Sequence, residues 1–266
     1  MKNMFFLILF LFSTVAIAQK NEPLLIGCAT KCSFLYSHAL KRIAKLSGIP
    51  ISIIDLSKRA DVSLEDIDGL VIPGGADIDP KYYLPFVEEE LQEYTKSLDH
   101  LVEYSQEGRI RDPFEYELLQ SYFRNSDLQN LPILGICRGM QMLAVSQGMP
   151  LYVDIKTELG IRNRRYLFDR IFVNEENSLM KELFPSLTFL GFEQHHQGIR
   201  VDYYLKNQAR WPNLRVSSYS NRGTIAESRE HGVQGSAGSR RAVPPRKRFW
   251  PRKKINLWLV AGKSLS

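Results

Sequence analysis

The chain has 266 residues, 44% hydrophobic and 24% charged. This is a globular composition, ample for one large α/β domain and short for two. The formal charge of +6 is uneven: nine Lys and Arg and no acidic residue lie between His231 and Ser266, leaving 26 basic and 29 acidic residues in 1–230. The basic balance therefore belongs to the last segment, and whole-chain charge is no argument for a nucleic-acid partner.

In chain order, the first feature is an address. Lys2 is a short basic start, Met4–Ala18 is apolar, and Ala16-Ile17-Ala18 is a small-residue cleavage site. Residues 1–18 read as a signal peptide, and the stretch is too short to span a bilayer. We expect an exported protein, periplasmic or secreted after cleavage near Ala18, with no stable membrane insertion. In such a protein cysteines pair by default. Cys28 and Cys32 are near enough in sequence to do so, which would leave Cys137 as the odd thiol.

Residues 19–235 read as one domain. "EPLLIGCAT" is a short strand. The helix "SFLYSHALKRIAKLSG" follows, capped by Ser33 and ended by Gly48, with Phe34, Leu35, Ala39, Leu40, Ile43 and Leu46 on one face. "ISIIDL" and "DGLVIPGGADIDP" are the next strands. "RDPFEYELLQSYFRN" looks like a helix start, with Asp112 as N-cap, Pro113 in the first turn and Glu115 completing the box. Capping accounts for both carboxylates, so neither is assigned chemistry. "LPILGI", the helix "RGMQMLAVSQG" and the strand "PLYVDI" complete an alternation that predicts a mostly parallel sheet covered on both faces. From Arg165 to Glu230, short β-like runs suggest a smaller antiparallel portion.

Gly135-Ile136-Cys137-Arg138-Gly139 lies between a predicted strand and a predicted helix. A sharp strand-to-helix turn projects a side chain above the sheet edge, as a nucleophile elbow requires. Small neighbours let the backbone bend, and the helix N-terminus favours a thiolate and offers N–H groups to an oxyanion. The competing reading is a buried structural cysteine; the strand–turn–helix setting favours a nucleophile.

These residues resemble a family. "GICRGMQ" is similar to the Gly-x-Cys-x-Gly-x-Gln elbow of class I glutamine amidotransferases, and "IPGGADIDP" to their Pro-Gly-Gly oxyanion loop. "RDPFE" and "HHQGI" narrow the resemblance to the γ-glutamyl hydrolase, or peptidase C26, branch. It implies a flavodoxin-like α/β fold with a mostly parallel central sheet, helices on both faces and a smaller antiparallel part. It implies that Cys137 attacks a γ-glutamyl amide and forms a thioester. The N–H groups of Gly75 and Arg138 would hold the oxyanion, and Gln141, His195, His196 and Gln197 would line a small-molecule γ-glutamyl site. No metal or cofactor is implied.

The resemblance breaks off late. The family continues Gly-Val-Gln-x-His-Pro-Glu, but after Gly232-Val233-Gln234 this chain has Ser236, Ala237 and Gly238 where the His-Pro-Glu should stand. Without that base and its orienting carboxylate, turnover is expected to be impaired. The alternative is a non-catalytic γ-glutamyl-binding protein. Residues 236–266 read as an aberrant basic tail that packs poorly, because dense like charge opposes a core.

Overall fold

Leu24–Cys28 is an apolar run too short for a helix, and it forms β1. In the computed structural model, which describes residues 22–160, 167–173, 181, 185–193, 195–212, 214–215, 217–220 and 255–256, β1 is central. It pairs in parallel with β2 (Ile51–Asp55) and β3 (Gly69–Ile72), and β3 pairs in parallel with β4 (Ile133–Gly135). The order β2-β1-β3-β4 reverses direction at β1, the arrangement of flavodoxin-like doubly wound sheets.

Reversal sends the connecting helices to opposite faces. Helices α3 (Gln106–Arg124) and α4 (Arg138–Val145) bring Leu119, Met142 and Leu143 onto the face that carries Leu70, Ile72 and Ile133. Helix α1 (Phe34–Ser47) places Tyr36 and Leu40 against Ile26, Ile53, Val71 and Leu134 on the other face. The second side of α4 joins Met140 and Ala144 to Tyr203, Tyr204 and Trp211 in a smaller core. The tyrosines come from α6 (Val201–Lys206), reached after the short helices α2 (Glu89–Ser97) and α5 (Ile155–Leu159). The Trp211 indole N–H donates to the Gln147 carbonyl and ties this core down.

The antiparallel portion is present. β6 (Leu167–Val173) pairs antiparallel with β7 (Thr188–Glu193) and with β10 (Ser218–Ser220). β5 (Leu151–Tyr152) departs from the sequence-based expectation. It stands outside the parallel sheet and pairs antiparallel with β8 (Gly198–Ile199). β9 (Leu214–Arg215) and β11 (Ile255–Asn256) form a parallel two-residue pair.

Two further expectations are corrected. The helix read as starting at Asp112 starts at Gln106, where the Ser105 hydroxyl accepts from the Gly108 N–H. Pro113 therefore lies inside α3, and Asp112 and Glu115 are buried mid-helix residues that cap nothing. The inward face of α1 is also rotated from the expected one. Tyr36, Leu40 and Ala44 turn in, while Phe34 is 81% exposed, Ile43 61% and Leu46 79%. Ser33 and Gly48 do begin and end this helix; Gly48 has φ 67°, a left-handed turn that glycine adopts without strain.

Cys28 and Cys32 form a disulfide. No helix among the described residues is long and apolar enough to cross a membrane. The expected signal peptide and the tail from Ser236, apart from Ile255 and Asn256, lie outside the described residues.

Candidate active site

Three strand ends meet along one sheet edge. β1 ends at Cys28, β3 runs into Pro73-Gly74-Gly75, and β4 runs into Ile136-Cys137. The carboxyl edge at the reversal point of such a sheet is where ligands bind in open α/β folds.

Cys137 stands at the N-cap of α4 with φ 53° and ψ −114°. A side chain in this region costs about 1–3 kcal/mol and persists only where the surroundings impose it. Here they do. The Ile136 N–H donates to the Ile72 carbonyl, and the Met140 N–H to the Cys137 carbonyl, so strand and helix fix the turn from both ends. Gly139 is required by close approach: a Cβ there would overlap the Ile72 carbonyl oxygen. The glycine lets the first turn of α4 sit directly on β3 and carries Cys137 above the sheet edge. The thiol is half-buried and not disulfide-bonded.

The Pro73-Gly74-Gly75 loop comes up beside it. A Cβ built on Gly74 would lie 3.5 Å from the Cys137 Cβ and 2.7 Å from the Tyr36 Oη. Tyr36 also packs in the same cluster as Cys137. Burial, then the neighbouring Cys137, push its phenol above the usual tyrosine range, against the pull of Arg111. It therefore stays neutral beside the thiol. Arg138 is the first residue of α4, so its backbone N–H has no acceptor within the helix.

Beneath the loop lies a buried charge network. The Arg138 guanidinium pairs with Asp112 and Glu115. Burial works against its charge, but Glu115 and then Asp112 hold its pKa above the usual arginine value. Glu115 is fully buried and also accepts from the Arg111 Nε at 3.0 Å, the Arg111 Nη2 at 2.9 Å and the Thr30 hydroxyl at 3.1 Å. Arg111 in turn donates from Nη1 to the Gly74 carbonyl and from Nη2 to the Pro73 carbonyl, both at 3.0 Å. Burial raises the Asp112 carboxyl, with Arg138 opposing. Sequence reasoning found "RDPFE" but gave it a capping role. The helix begins at Gln106 behind the Ser105 cap, which frees these side chains to support the two loops.

The other expected site residues are joined to one another and to the loop after β3 by contacts of their own. The Gln197 amide bridges to Ile78, accepting from its N–H at 2.9 Å and donating to its carbonyl at 3.2 Å. The Gln141 Nε2 donates to the Gln197 carbonyl at 2.7 Å. His195 Nδ1 lies 2.6 Å from the same carbonyl. The His196 Nε2 is 2.9 Å from Asp77, two residues past Gly75, and its Nδ1 is 3.5 Å from Asp154. The Asp77 carboxylate is the nearer of the two acidic neighbours of the ring. The Asp77 contact raises the His196 pKa, against burial. Gln141 and Gln197 thus tie α4 and the 195–199 segment to the loop after β3. Their amides are engaged with backbone.

A family model described as Peptidase C26 matches residues 15–234. The chain belongs to the peptidase C26 family. It is 29% identical over 191 residues to Protein NtpR of Enterococcus hirae, covering 69% of each chain. It is 40% identical over 114 residues to a putative glutamine amidotransferase-like protein, RP404, of Rickettsia prowazekii, covering 41% of this chain and 34% of that one. A solved glutamine amidotransferase of Thermotoga maritima shares 18% identity and a TM-score of 0.41, over 66% of this chain and 62% of the other. Membership in this glutamine amidotransferase-like family agrees with the parallel sheet and with the elbow at Cys137.

Proposed function

We propose that this C26 domain acts on γ-glutamyl amides by acyl transfer to Cys137. One observation carries the reading: a non-glycine residue held at positive φ between a parallel strand and a helix N-terminus, with a thiol on it. In the proposed step Sγ attacks the γ-carbonyl carbon. The oxyanion takes hydrogen bonds from the Gly75 and Arg138 N–H groups, the carbon–nitrogen bond breaks and the amine leaves with the proton given up by the thiol, and water then cleaves the thioester to the free acid and restores the thiol. Preorganised N–H donors of this kind are worth about a hundred- to a thousandfold in rate.

The same reading makes the chain a poor catalyst. Ser236 and Gly238 occupy the positions where the family motif would place the histidine and glutamate. Each described histidine already has a partner. His38 stacks on Phe34, His100 Nδ1 meets the Ser97 carbonyl, His195 meets Gln197, and His196 meets Asp77 and Asp154. Lacking an acid–base partner costs about a hundred- to ten-thousandfold.

The test is hydrolysis of a γ-glutamyl amide by the full chain beside its Cys137→Ala variant. The expected result is slow turnover that disappears in the variant. Turnover that survives Cys137→Ala contradicts the nucleophile. Binding without any acylation supports the second reading, a γ-glutamyl-binding protein, which the missing His-Pro-Glu favours.

A further inference from the structure

The loop that would hold the oxyanion has no regular structure of its own to fix it. From the buried network below it we infer that Arg111 is a positioning residue: its guanidinium clamps the Pro73 and Gly74 carbonyls so that the Gly75 N–H is presented on the Cys137 side of the loop. The inference rests on the cysteine acyl-transfer reading above and adds a residue to it.

The geometry is specific. Two successive carbonyls, Pro73 and Gly74, accept from two different nitrogens of one guanidinium, each at 3.0 Å. The described chain has no cis peptide. In a trans peptide the N–H points opposite to the C=O. Because the Gly74 carbonyl turns toward Arg111, the Gly75 N–H must leave on the side away from it. A Cβ on Gly74 would meet Tyr36 and the Cys137 Cβ, whereas one on Gly75 would meet Arg111, so the two successive glycines face different neighbours. Gly75 itself admits the clamp, since a Cβ there would overlap the Arg111 Nη1.

Arg111 is in turn held. Glu115 fixes its Nε and Nη2, and Glu107 meets its Nη1. Glu115 is shared with Arg138, whose backbone N–H is the other proposed oxyanion donor. One buried carboxylate therefore braces the residues that set both donors. A lysine cannot replace the clamp, because a single ammonium lacks the planar fork that reaches two carbonyls in fixed directions.

The test needs an acylation step independent of the missing general acid. A γ-glutamyl nitrophenyl ester supplies it. The Sγ–carbonyl carbon bond forms, the carbon–oxygen bond to nitrophenolate breaks, and the thiol proton goes to buffer. The burst of nitrophenolate in the full chain is compared with that in Arg111→Lys, beside alkylation of Cys137 by iodoacetamide, which builds no oxyanion. In Arg111→Lys the burst rate should fall about 10- to 100-fold. The half-saturating ester concentration should stay within about threefold and alkylation within about twofold of the original chain, as loss of donor orientation alone requires. Added methylguanidinium should restore part of the burst to Arg111→Gly.

An unchanged burst in Arg111→Lys overturns the inference. So does a parallel loss of burst and alkylation, which would mark a merely structural role. If the original chain is acylated by nitrophenyl acetate but not by the γ-glutamyl ester, the γ-glutamyl reading fails and Arg111 is judged on the acetate. If it reacts with neither ester, the acyl-transfer reading fails, and the clamp falls with it.

Discussion

Glu115 shows how much one buried carboxylate can organise. It accepts from Thr30 and Arg111 and pairs with Arg138, all away from water. Removing one partner from a buried ion network leaves an uncompensated charge and costs about 3–5 kcal/mol. Glu115→Gln should lose stability of that order in a denaturant titration. Glu107→Gln, at the 60% exposed end of the same arginine, should lose less than about 1 kcal/mol. Equal losses would mean that burial is not the controlling variable. His196 makes a pH-dependent contribution. Asp77 raises its pKa above 6.5 against burial, with Glu103 and Asp154 adding to the effect. A raised folded-state value means the contact contributes fully below the unfolded value of 6.5 and is lost as pH rises through the higher folded value. The melting-temperature gap between the original chain and His196→Gln should be widest below pH 6.5 and narrow as pH rises above it. A gap that widens with pH would reverse the sign of this account.

At the scale of elements, the clearest sequence signals were those fixed by local backbone chemistry. Ser33 and Gly48 bounded α1, and the glycines around Cys137 marked the elbow. The start of α3 was misread because Asp-Pro-x-Glu is a strong local capping pattern. Tertiary charge pairing with Arg138 overrode it. That leaves an exposed proline inside a helix, where the Arg109 carbonyl loses its usual donor. Pro113→Ala should therefore stabilise the chain, by up to about 3 kcal/mol. A neutral or destabilising result in thermal melts would show that α3 needs the break. The inward face of α1 was misjudged for a different reason. Periodicity gives a stripe but not the direction of the sheet, and the inward stripe runs through Tyr36, a residue with a polar tip.

For the whole molecule, the alternation of apolar runs and helices made the parallel sheet legible, because each β–α unit carries its own periodicity. The site was legible only in part. Cys137 and the Pro-Gly-Gly loop announce themselves by sequence context. The support beneath them joins Thr30, Arg111, Glu115 and Arg138, residues as far as 108 positions apart, and only the folded chain shows that they meet. β5 was misplaced because two residues carry too little pattern to choose between a parallel sheet and a hairpin partner. The two sheet faces are also unequally covered. α3 and α4 share one face, and among the described residues α1 alone packs on the other, with its Ile43 and Leu46 open to solvent.

The bond between Cys28 and Cys32 closes a five-residue loop around Ala29 and Thr30, in the cluster against which Cys137 packs. Its survival depends on where the chain is made, since glutathione and thioredoxin keep such pairs open in the cytosol. One gene should therefore yield two products. Denatured without reductant, material from an oxidising compartment should react with one equivalent of a colorimetric thiol reagent, and cytosolic material with three. In the first preparation, mapping the modified peptide should find Cys137. A count of three from both would mean that the loop is held by packing alone, and that the hydroxyl of Thr30 reaches Glu115 without a covalent brace.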